Sequence, residues 1–540
     1  MAIVLKQDEE VLPQSQLPYF HSMIILNEEQ IRAWDAYTIR KGIKPIDLME
    51  QAALSVVQKL DILLGDEDQE VFIICGNGNN GADGLAIARL LVDLDFLVDV
   101  YINLEGEHSR EWKINYERLM EIESEHLDIH ETWNPDAVEL SPSGTIIDAM
   151  FGTGLSRPLE GIWLKIATWL NEQSNLSIAI DMPSGMYVDK APDGEVAYAD
   201  LVLTFQCQRL SFMMPESEPY FGEVLVCDIG LSDTFLLEND IRSFELDYYY
   251  LLPFLIERSR HSHKGDYGHG LLIAGSVGKA GASILSALAG MRSGIGLLTA
   301  HIPERLYVIL QTSVPEVMVQ LDKHGDHFTG CDIPEKISAI ALGPGLGTHP
   351  DTQKAVLELL KNQLKTPLVL DADALNIIAI NNALDLIPPG TIITPHPGEF
   401  DRLFGEQEDH YERYRTACKE AQARKINIVL KGGFTIICQS NGVSFFNTHG
   451  NPGMATGGSG DVLTGILLGL LSQGYSADYA ALLGVYLHAS AGDIAAETEG
   501  YEALIASDII DFLGDAFEEL RNEDPEIDES EEEDPEKDEE

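Results

Sequence analysis

Cysteine is scarce in this chain and follows no pattern. The six cysteines (Cys75, Cys207, Cys227, Cys331, Cys418 and Cys438) form no CxxC pair and no zinc-finger spacing, which excludes a disulfide framework. Cys75 and Cys438 end apolar strand-like runs, where a small buried hydrophobe is expected. Basic residues are also few. Against 89 Asp and Glu stand 35 Lys and Arg, a formal net charge of -54 at pH 7, which argues against a nucleic-acid partner held through its phosphates. No uninterrupted apolar run reaches membrane-spanning length, and no charged, apolar and small-residue leader opens the sequence. A reduced, cytoplasmic protein without a membrane partner is expected.

The chain does have length, apolar content and clustered glycine. Its 540 residues exceed one ordinary core and suit two domains, and 45% hydrophobic residues can fill both. The 47 glycines fall in clusters, as phosphate loops and tight strand–helix turns require. Residues 1–22 read as a loosely held extension. Residues 521–540 are almost wholly acidic and read as a disordered, solubilising tail.

Between these ends, short apolar strands alternate with helical patterns. Glu28 to Lys59 reads as helical, and VFIIC (71–75), FLVDVYIN (96–103), GTIIDAM (144–150), LSIAIDM (176–182) and DLVLTF (200–205) read as buried strands. The pattern breaks in an acidic, aromatic and then basic stretch near Asp247. It restarts with GLLIAGS (270–276), IGLLTAHI (295–302), AIALGPG (339–345), TPLVLDA (366–372), TIITPH (391–396), NIVLKGG (427–433) and FTIICQ (434–439). The fold class predicted is α/β, with two domains at 23–246 and 247–520, the first a doubly wound, Rossmann-like parallel sheet.

The first chemical motif follows the first strand: Gly76-Asn77-Gly78-Asn79-Asn80-Gly81-Ala82-Asp83-Gly84. It contains G-x-G-x-x-G before a helix, a weak signal alone, and the helix start offers free N–H groups to an anion. Two further strand ends carry polar groups to the same crevice: Asp148 with FGTGLSRPL (151–159), and Asp181 in DMPSG (181–185). Alone, either aspartate is as readily a cap or turn residue. Three matched strand ends favour a site.

Together with NEEQIRAWDAYTIRKGIKPIDLMEQA, these motifs resemble the YjeF N-terminal domain, the NAD(P)H-hydrate epimerase family, over roughly Met23 to Leu231. The resemblance implies that Asn79, Asn80, Gly81, Ala82 and Asp83 bind the hydrated dinucleotide with Gly152, Thr153, Gly154, Leu155, Ser156, Arg157 and Pro158. It implies catalysis by Asp181 at the reacting end, and a potassium ion at Asn80, Asp148 and Ser184. Ala82 departs from the glycine usual in the family. A non-catalytic relative serves as an RNA-associated scaffold, so the fold alone does not imply catalysis.

The second motif is Asn451-Pro-Gly-Met-Ala-Thr-Gly-Gly-Ser-Gly-Asp461-Val-Leu-Thr-Gly465 before an apolar helix. Glycine-rich backbone and a helix start make an anion hole for a phosphoryl group, and Asp461 stands where it can accept a hydroxyl proton. GSVGKAG (275–281) lacks Walker spacing. Lys431-Gly432-Gly433-Phe434-Thr435 follows a strand; alone it could be a hairpin turn, while ahead of GGSGD it reads as part of a nucleotide site.

GGSGD resembles the ribokinase-like fold. With KGDYGHGLLIAGSVGKAGASILSALAGMRSGIGLLT (264–299), ALGPGLGT (341–348), DADALN (371–376) and TPHPGEF (394–400), the stretch from Lys264 to the 510s resembles the NAD(P)H-hydrate dehydratase family. The resemblance implies Ala282, Gly345, His396 and Asp461 on the hydrate, with Lys431 to Thr435 and Gly460 on the nucleotide. His396 between two prolines is equally a plain loop residue. The implied reaction phosphorylates the hydrate hydroxyl and eliminates phosphate, with ADP or ATP as donor and Mg2+ near acidic groups such as Asp371 or Asp373. Partners implied are the NADH and NADPH hydrates, ADP or ATP, and further copies of the chain in a homo-oligomer. The rivals are a small-molecule kinase fused to a non-catalytic dinucleotide-binding module, a dinucleotide or RNA sensor, and an NAD-dependent dehydrogenase resting only on G-x-G-x-x-G.

Overall fold

The computed structural model describes residues 23–522, apart from 66–68, 133–137, 139 and 363–364. The expected extension, and the acidic tail beyond Asn522, lie outside the described residues. Two compact units are present. One takes the described residues up to Glu245 with Gln407–Thr416, and the other takes Leu246–Glu406 with the described residues from Ala417.

The strands of the first unit are β1 (Ile25–Leu26), β2 (Glu70–Cys75), β3 (Leu97–Ile102), β4 (Leu127–His130), β5 (Thr145–Ala149), β6 (Ser177–Ile180), β7 (Ala199–Phe205), β8 (Gln208–Arg209), β9 (Phe221–Cys227) and β10 (Ser243–Glu245). Seven form one sheet in the order β4-β3-β2-β5-β6-β7-β9, every pair parallel. Strand order reverses between β2 and β5, so their carboxyl ends flank the crevice where open α/β sheets take ligands. The helix Asn79–Asp93 leaves β2 and is almost entirely buried. A Cβ on its Gly84 would lie 2.6 Å from the Ala149 Cβ, so glycine lets this helix rest directly on the sheet.

The single helical stretch expected from Glu28 to Lys59 is two helices, Glu28–Arg40 and Pro45–Leu64. Gly42 at φ 119 and Pro45 at the first turn of the second helix break it. The first helix starts in a capping box between Asn27 and Gln30, and its Trp34 is fully buried. That anchorage fixes which residues of the helix face the crevice.

In the second unit the strands are β11 (His269–Ile273), β12 (Leu297–Ile302), β13 (Met318–Leu321), β14 (Ala339–Leu342), β15 (Leu368–Leu370), β16 (Ile392–Ile393), β17 (Asn427–Leu430), β18 (Thr435–Cys438) and β19 (Ser444–Asn447). They run in the order β19-β18-β17-β16-β15-β14-β11-β12-β13. Pairing is parallel from β13 to β17, and antiparallel through β18 and β19. Lys431-Gly-Gly-Phe434 is therefore the turn of the β17–β18 hairpin. The helix Ser459–Ser472 is buried from Val462 onward. A Cβ on its Gly465 would stand 2.3 Å from the Ser286 carbonyl oxygen, so the helix lies against Ala280–Arg292 with no room for a side chain there.

Among the described residues no helix is long and apolar enough to cross a membrane. Cys75 and Cys438 are buried as expected, and none of the six cysteines, all of them described residues, is in a disulfide.

Candidate active sites

In the first unit a cavity of about 540 Å³ opens at the β2/β5 strand ends. Its wall includes Asn79, Asn80 and Asp83 from the β2 turn, Gly152 to Leu155 from the loop after β5, and Asp181 after β6. Those predicted residues meet in one place. Gly81 and Ala82 do not line the cavity. A Cβ on Gly81 would stand 1.8 Å from the Gly76 carbonyl oxygen, so this glycine serves the tight turn, and Ala82 is fully buried. Ser156 and Arg157 are exposed, and with Pro158 they also lie off the wall.

Asp181 is buried and takes φ 68, a left-handed conformation unusual for a residue with a side chain. Its Oδ1 accepts from Arg209 Nη2 at 2.9 Å, and its Oδ2 accepts from the Thr153 amide at 2.8 Å. Both oxygens are thus aimed from fixed directions. Arg209 is itself buried and also donates to the Phe205 and Cys207 carbonyls. A Cβ on Gly152 would meet Asp181 Oδ2 at 2.4 Å and Asn80 Oδ1 at 3.2 Å, so the loop after β5 presses its backbone onto the carboxylate.

Two further carboxylates share the field of Asp181. Burial pushes Asp35 up to about 6, with Asp181 adding to the rise and Arg209 opposing it. Asp83 is held well above the usual carboxylate range, by burial first and then by Asp181 and Asp35. Both groups keep their protons to higher pH than a free carboxyl does. Asp35 and Arg209 were not among the residues predicted. Asp35 sits one helical turn after buried Ile31 and three residues before buried Thr38, so an acid interrupts the apolar stripe. That interruption was the available signal.

Asn80 is buried, and neither its amide oxygen nor its amide nitrogen has a hydrogen-bond partner. Ser184 is fully buried and donates its hydroxyl to Asp148 Oδ1 at 2.7 Å and its amide to Oδ2 at 2.8 Å. Burial pushes Asp148 up to about 6, despite these bonds. An orphaned amide oxygen with a buried carboxylate and hydroxyl is an all-oxygen donor set, which fits a hard cation.

In the second unit Asp461 stands in the first turn of the helix Ser459–Ser472, after Gly458 at φ 103. Lys431 Nζ bonds Asp371 Oδ1 at 3.0 Å, and the Thr464 hydroxyl donates to Asp371 Oδ2 at 2.8 Å. A Cβ on Gly460 would lie 3.3 Å from Lys431 Nζ, which places the ammonium over the glycine turn. Lys279 Nζ and the Gly347 amide both donate to Asp373 Oδ2, at 2.9 and 2.7 Å. Burial and then Asp371 push Asp461 up to about 6, with Lys431 opposing.

Gly345 at φ 61 lies against Ala282, where a Cβ would come within 2.9 Å of the alanine methyl. His396 caps the helix Pro397–Phe404, its Nδ1 accepting from Gly398 at 3.1 Å, and the Lys431 amide donates to the neighbouring Pro395 carbonyl at 3.0 Å. The structure thus brings Lys431, Gly460 and Asp461 together, joins Ala282 to Gly345, and sets His396 beside the Lys431 turn. Gly432, Gly433 and Phe434 are exposed on the hairpin. Asp371 and Asp373, expected near Mg2+, each engage a lysine. Lys279 and Thr464 were missed, because only the folded chain sets them beside those aspartates.

A carboxylate-lined crevice on a doubly wound sheet and a glycine-rich helix start beside Asp461 and Lys431 define a two-site α/β enzyme built for nucleotide-sized ligands. Comparison with known proteins makes this specific. The family described as YjeF-related protein N-terminus matches residues 45–211, and that described as NAD(P)H-hydrate dehydratase matches 270–514. The bifunctional NAD(P)H-hydrate repair enzyme Nnr of Moorella thermoacetica is 34% identical over 497 residues, covering 87% of this chain and 92% of the relative. That of Thermofilum pendens is 33% identical, covering 92% and 97%. The solved ADP/ATP-dependent NAD(P)H-hydrate dehydratase from Bacillus subtilis, co-crystallised with ATP/Mg2+, is 34% identical, covering 51% of this chain and 97% of that one with a TM-score of 0.46. The chain belongs to the family of bifunctional NAD(P)H-hydrate repair enzymes.

Proposed function

We propose that the first unit interconverts the R and S hydrates of NADH and NADPH, and that the second dehydrates the S epimer at the expense of ADP or ATP. The observation that carries this reading is the coexistence in one chain of the Asp35–Asp83–Asp181 crevice and the Asp461 helix start. Either alone fits other chemistry. Together they suit an enzyme that recovers both epimers of a damaged cofactor.

In the crevice, the hydrate lies across the β2 turn with its nicotinamide end toward Asp181. Asp181, oriented by Arg209 and the Thr153 amide, exchanges the proton at the reacting end, beside the buried carboxyls of Asp35 and Asp83. Asn80, Asp148 and Ser184 hold potassium, which supplies positive charge beside the buried acids when bound.

In the second unit, Asp461 takes the proton from the C6 hydroxyl of the hydrate as that oxygen attacks the terminal phosphorus of the donor. The glycine turn presents N–H groups to the transferring phosphoryl oxygens, and Lys431 adds positive charge above them. Elimination of the new phosphate ester then restores the nicotinamide. The products are NAD(P)H, inorganic phosphate, and AMP or ADP according to the donor. Magnesium, when bound with the nucleotide, neutralises phosphate charge. Asp371 and Asp373 are the nearby acids that could hold it, in exchange for their bonds to Lys431 and Lys279.

The test supplies the full chain with mixed R and S NADH hydrate, K+, Mg2+ and either ADP or ATP, and follows near-ultraviolet absorbance of regenerated NADH. Wild type restores the whole pool, Asp181→Ala stalls after the S fraction, and Asp461→Ala restores none. Phosphorylation of some other small alcohol without NADH recovery would replace this reading with the small-molecule kinase.

A further inference from the structure

A cluster of side chains in the second unit belongs to neither site. Beyond β13 the loop 322–329 carries His324 and His327, and the helix Pro350–Lys361 is preceded by His349 and carries Asp351 in its first turn. His327 Nε2 is buried and has no hydrogen-bond partner. It lies 3.5 Å from Asp351 Oδ2, and His349 Nδ1 lies 3.6 Å from the same oxygen. One potential ligand atom from each of His327, His349 and Asp351 lies within 4.8 Å of the others.

We propose that His327, His349 and Asp351 form a binding site for a divalent first-row transition-metal ion of the zinc type. A tetrahedral ion with ligands at about 2.0–2.1 Å holds them roughly 3.4 Å apart, close to the two nitrogen–carboxylate distances of 3.5 and 3.6 Å. Two imidazoles with one carboxylate select zinc, nickel, cobalt or copper over the hard cations used elsewhere in the chain. His349 Nδ1 accepts the Asp351 amide at 3.2 Å as a helix cap, so binding an ion through this nitrogen exchanges that bond for the metal. Three protein ligands leave a position for water.

The two halves of the cluster are held in place before any ion arrives. Asp322 is buried and gathers the His324 amide at 2.8 Å, and the Thr329 amide and hydroxyl at 2.7 and 2.6 Å, which fixes the loop. The Phe328 carbonyl accepts from Thr352 on the helix at 2.9 Å, tying loop to helix next to His327 and Asp351. These bonds fix the backbone on either side of the cluster, which shortens the movement its side chains need to meet on one ion.

The same segments adjoin the glycine loop of the dehydratase site. The Asp326 carbonyl accepts from Val277 at 2.9 Å, and Ser276 donates to the Gly345 carbonyl at 2.7 Å. An ion joining loop 322–329 to His349 would brace Gly345 from both sides without touching substrate.

The experiment uses chelator-stripped full-length protein in excess Mg2+ and K+, titrated with Zn2+ by calorimetry and with Co2+ by its visible d–d absorption. One saturable equivalent per chain is expected, with a rise in the melting temperature. His327→Gln and His349→Asn should each weaken Zn2+ binding about tenfold or more and remove the cobalt spectrum. Asparagine retains the helix cap, so the second variant reads metal loss even if the first does not fold. Absence of a saturable equivalent in wild type, or unchanged affinity in His349→Asn, overturns the site.

Discussion

Arg209 donates to Asp181 across a buried 2.9 Å ion pair, and that pair sets the charge balance of the first site. Two other carboxylates, Asp35 and Asp83, feel Asp181 as a repelling neighbour, and Arg209 is the guanidinium that offsets it at Asp35. Replacing Arg209 by Met leaves a buried carboxylate without its cation. Breaking such a pair costs about 3–5 kcal/mol. The expected outcome is a lower urea midpoint for loss of epimerase activity, with dehydratase activity on pure S hydrate unchanged. An unaltered midpoint would remove Arg209 from this role.

Gly152 tests the geometry of the same site without changing any charge. An alanine methyl there would stand 2.4 Å from Asp181 Oδ2, so either the carboxylate or the loop must shift. Displacement of a catalytic group by about 1 Å costs on the order of 100-fold in rate. Gly152→Ala should therefore lower epimerase kcat by about that factor while thermal stability falls little. Equal epimerase rates for the two proteins would show that Asp181 does not need its present position.

The raised value of Asp35 has a consequence for stability. Its ordinary value of 3.8 becomes about 6 in the folded chain, so the folded state holds the proton more tightly than the unfolded one. Its contribution is complete below about pH 4 and is lost as pH rises through about 6. A shift of that size corresponds to about 2–3 kcal/mol. Asp35→Asn should match wild type in stability near pH 4 and exceed it by about 2 kcal/mol at pH 7.5 in urea titrations. A difference that does not grow between those pH values would contradict this.

Most of the fold could be read because the buried parallel strands are short apolar runs punctuated by glycine. Two of the strands that escaped lie at sheet edges, where burial no longer enforces that pattern. β4 is Leu-Asp-Ile-His with no fully buried residue, and β13 is an equally open Met-Val-Gln-Leu. The loops after β2, β5 and β6 were legible because aspartate and glycine at consecutive strand ends have few structural uses. Asp35 comes from a preceding helix, and Arg209 from the segment after β7. Their partnership with Asp181 depends on how the helix Glu28–Arg40 docks, which no local pattern states. The family resemblance carries Ser156 and Arg157 into the site along with FGTGL, yet both side chains are exposed and lie off the cavity wall.

The second site offers a separation of charge effects from proton transfer. Asp461 must be ionised to accept the hydroxyl proton, and burial with Asp371 pushes it up to about 6 while Lys431 holds it down. Dehydratase kcat/KM should then rise with pH through about 6 and level off above it. Lys431→Gln removes the restraining charge, so Asp461 should move higher and carry the acidic limb with it by about one unit. Asp461→Asn should abolish the limb and lower the rate by about 100-fold to 10,000-fold on the plateau above about pH 7. Epimerase activity in both variants should remain at the wild-type rate, which rules out global unfolding as the cause. If the limb stays in place in Lys431→Gln, the titrating base is a group other than Asp461.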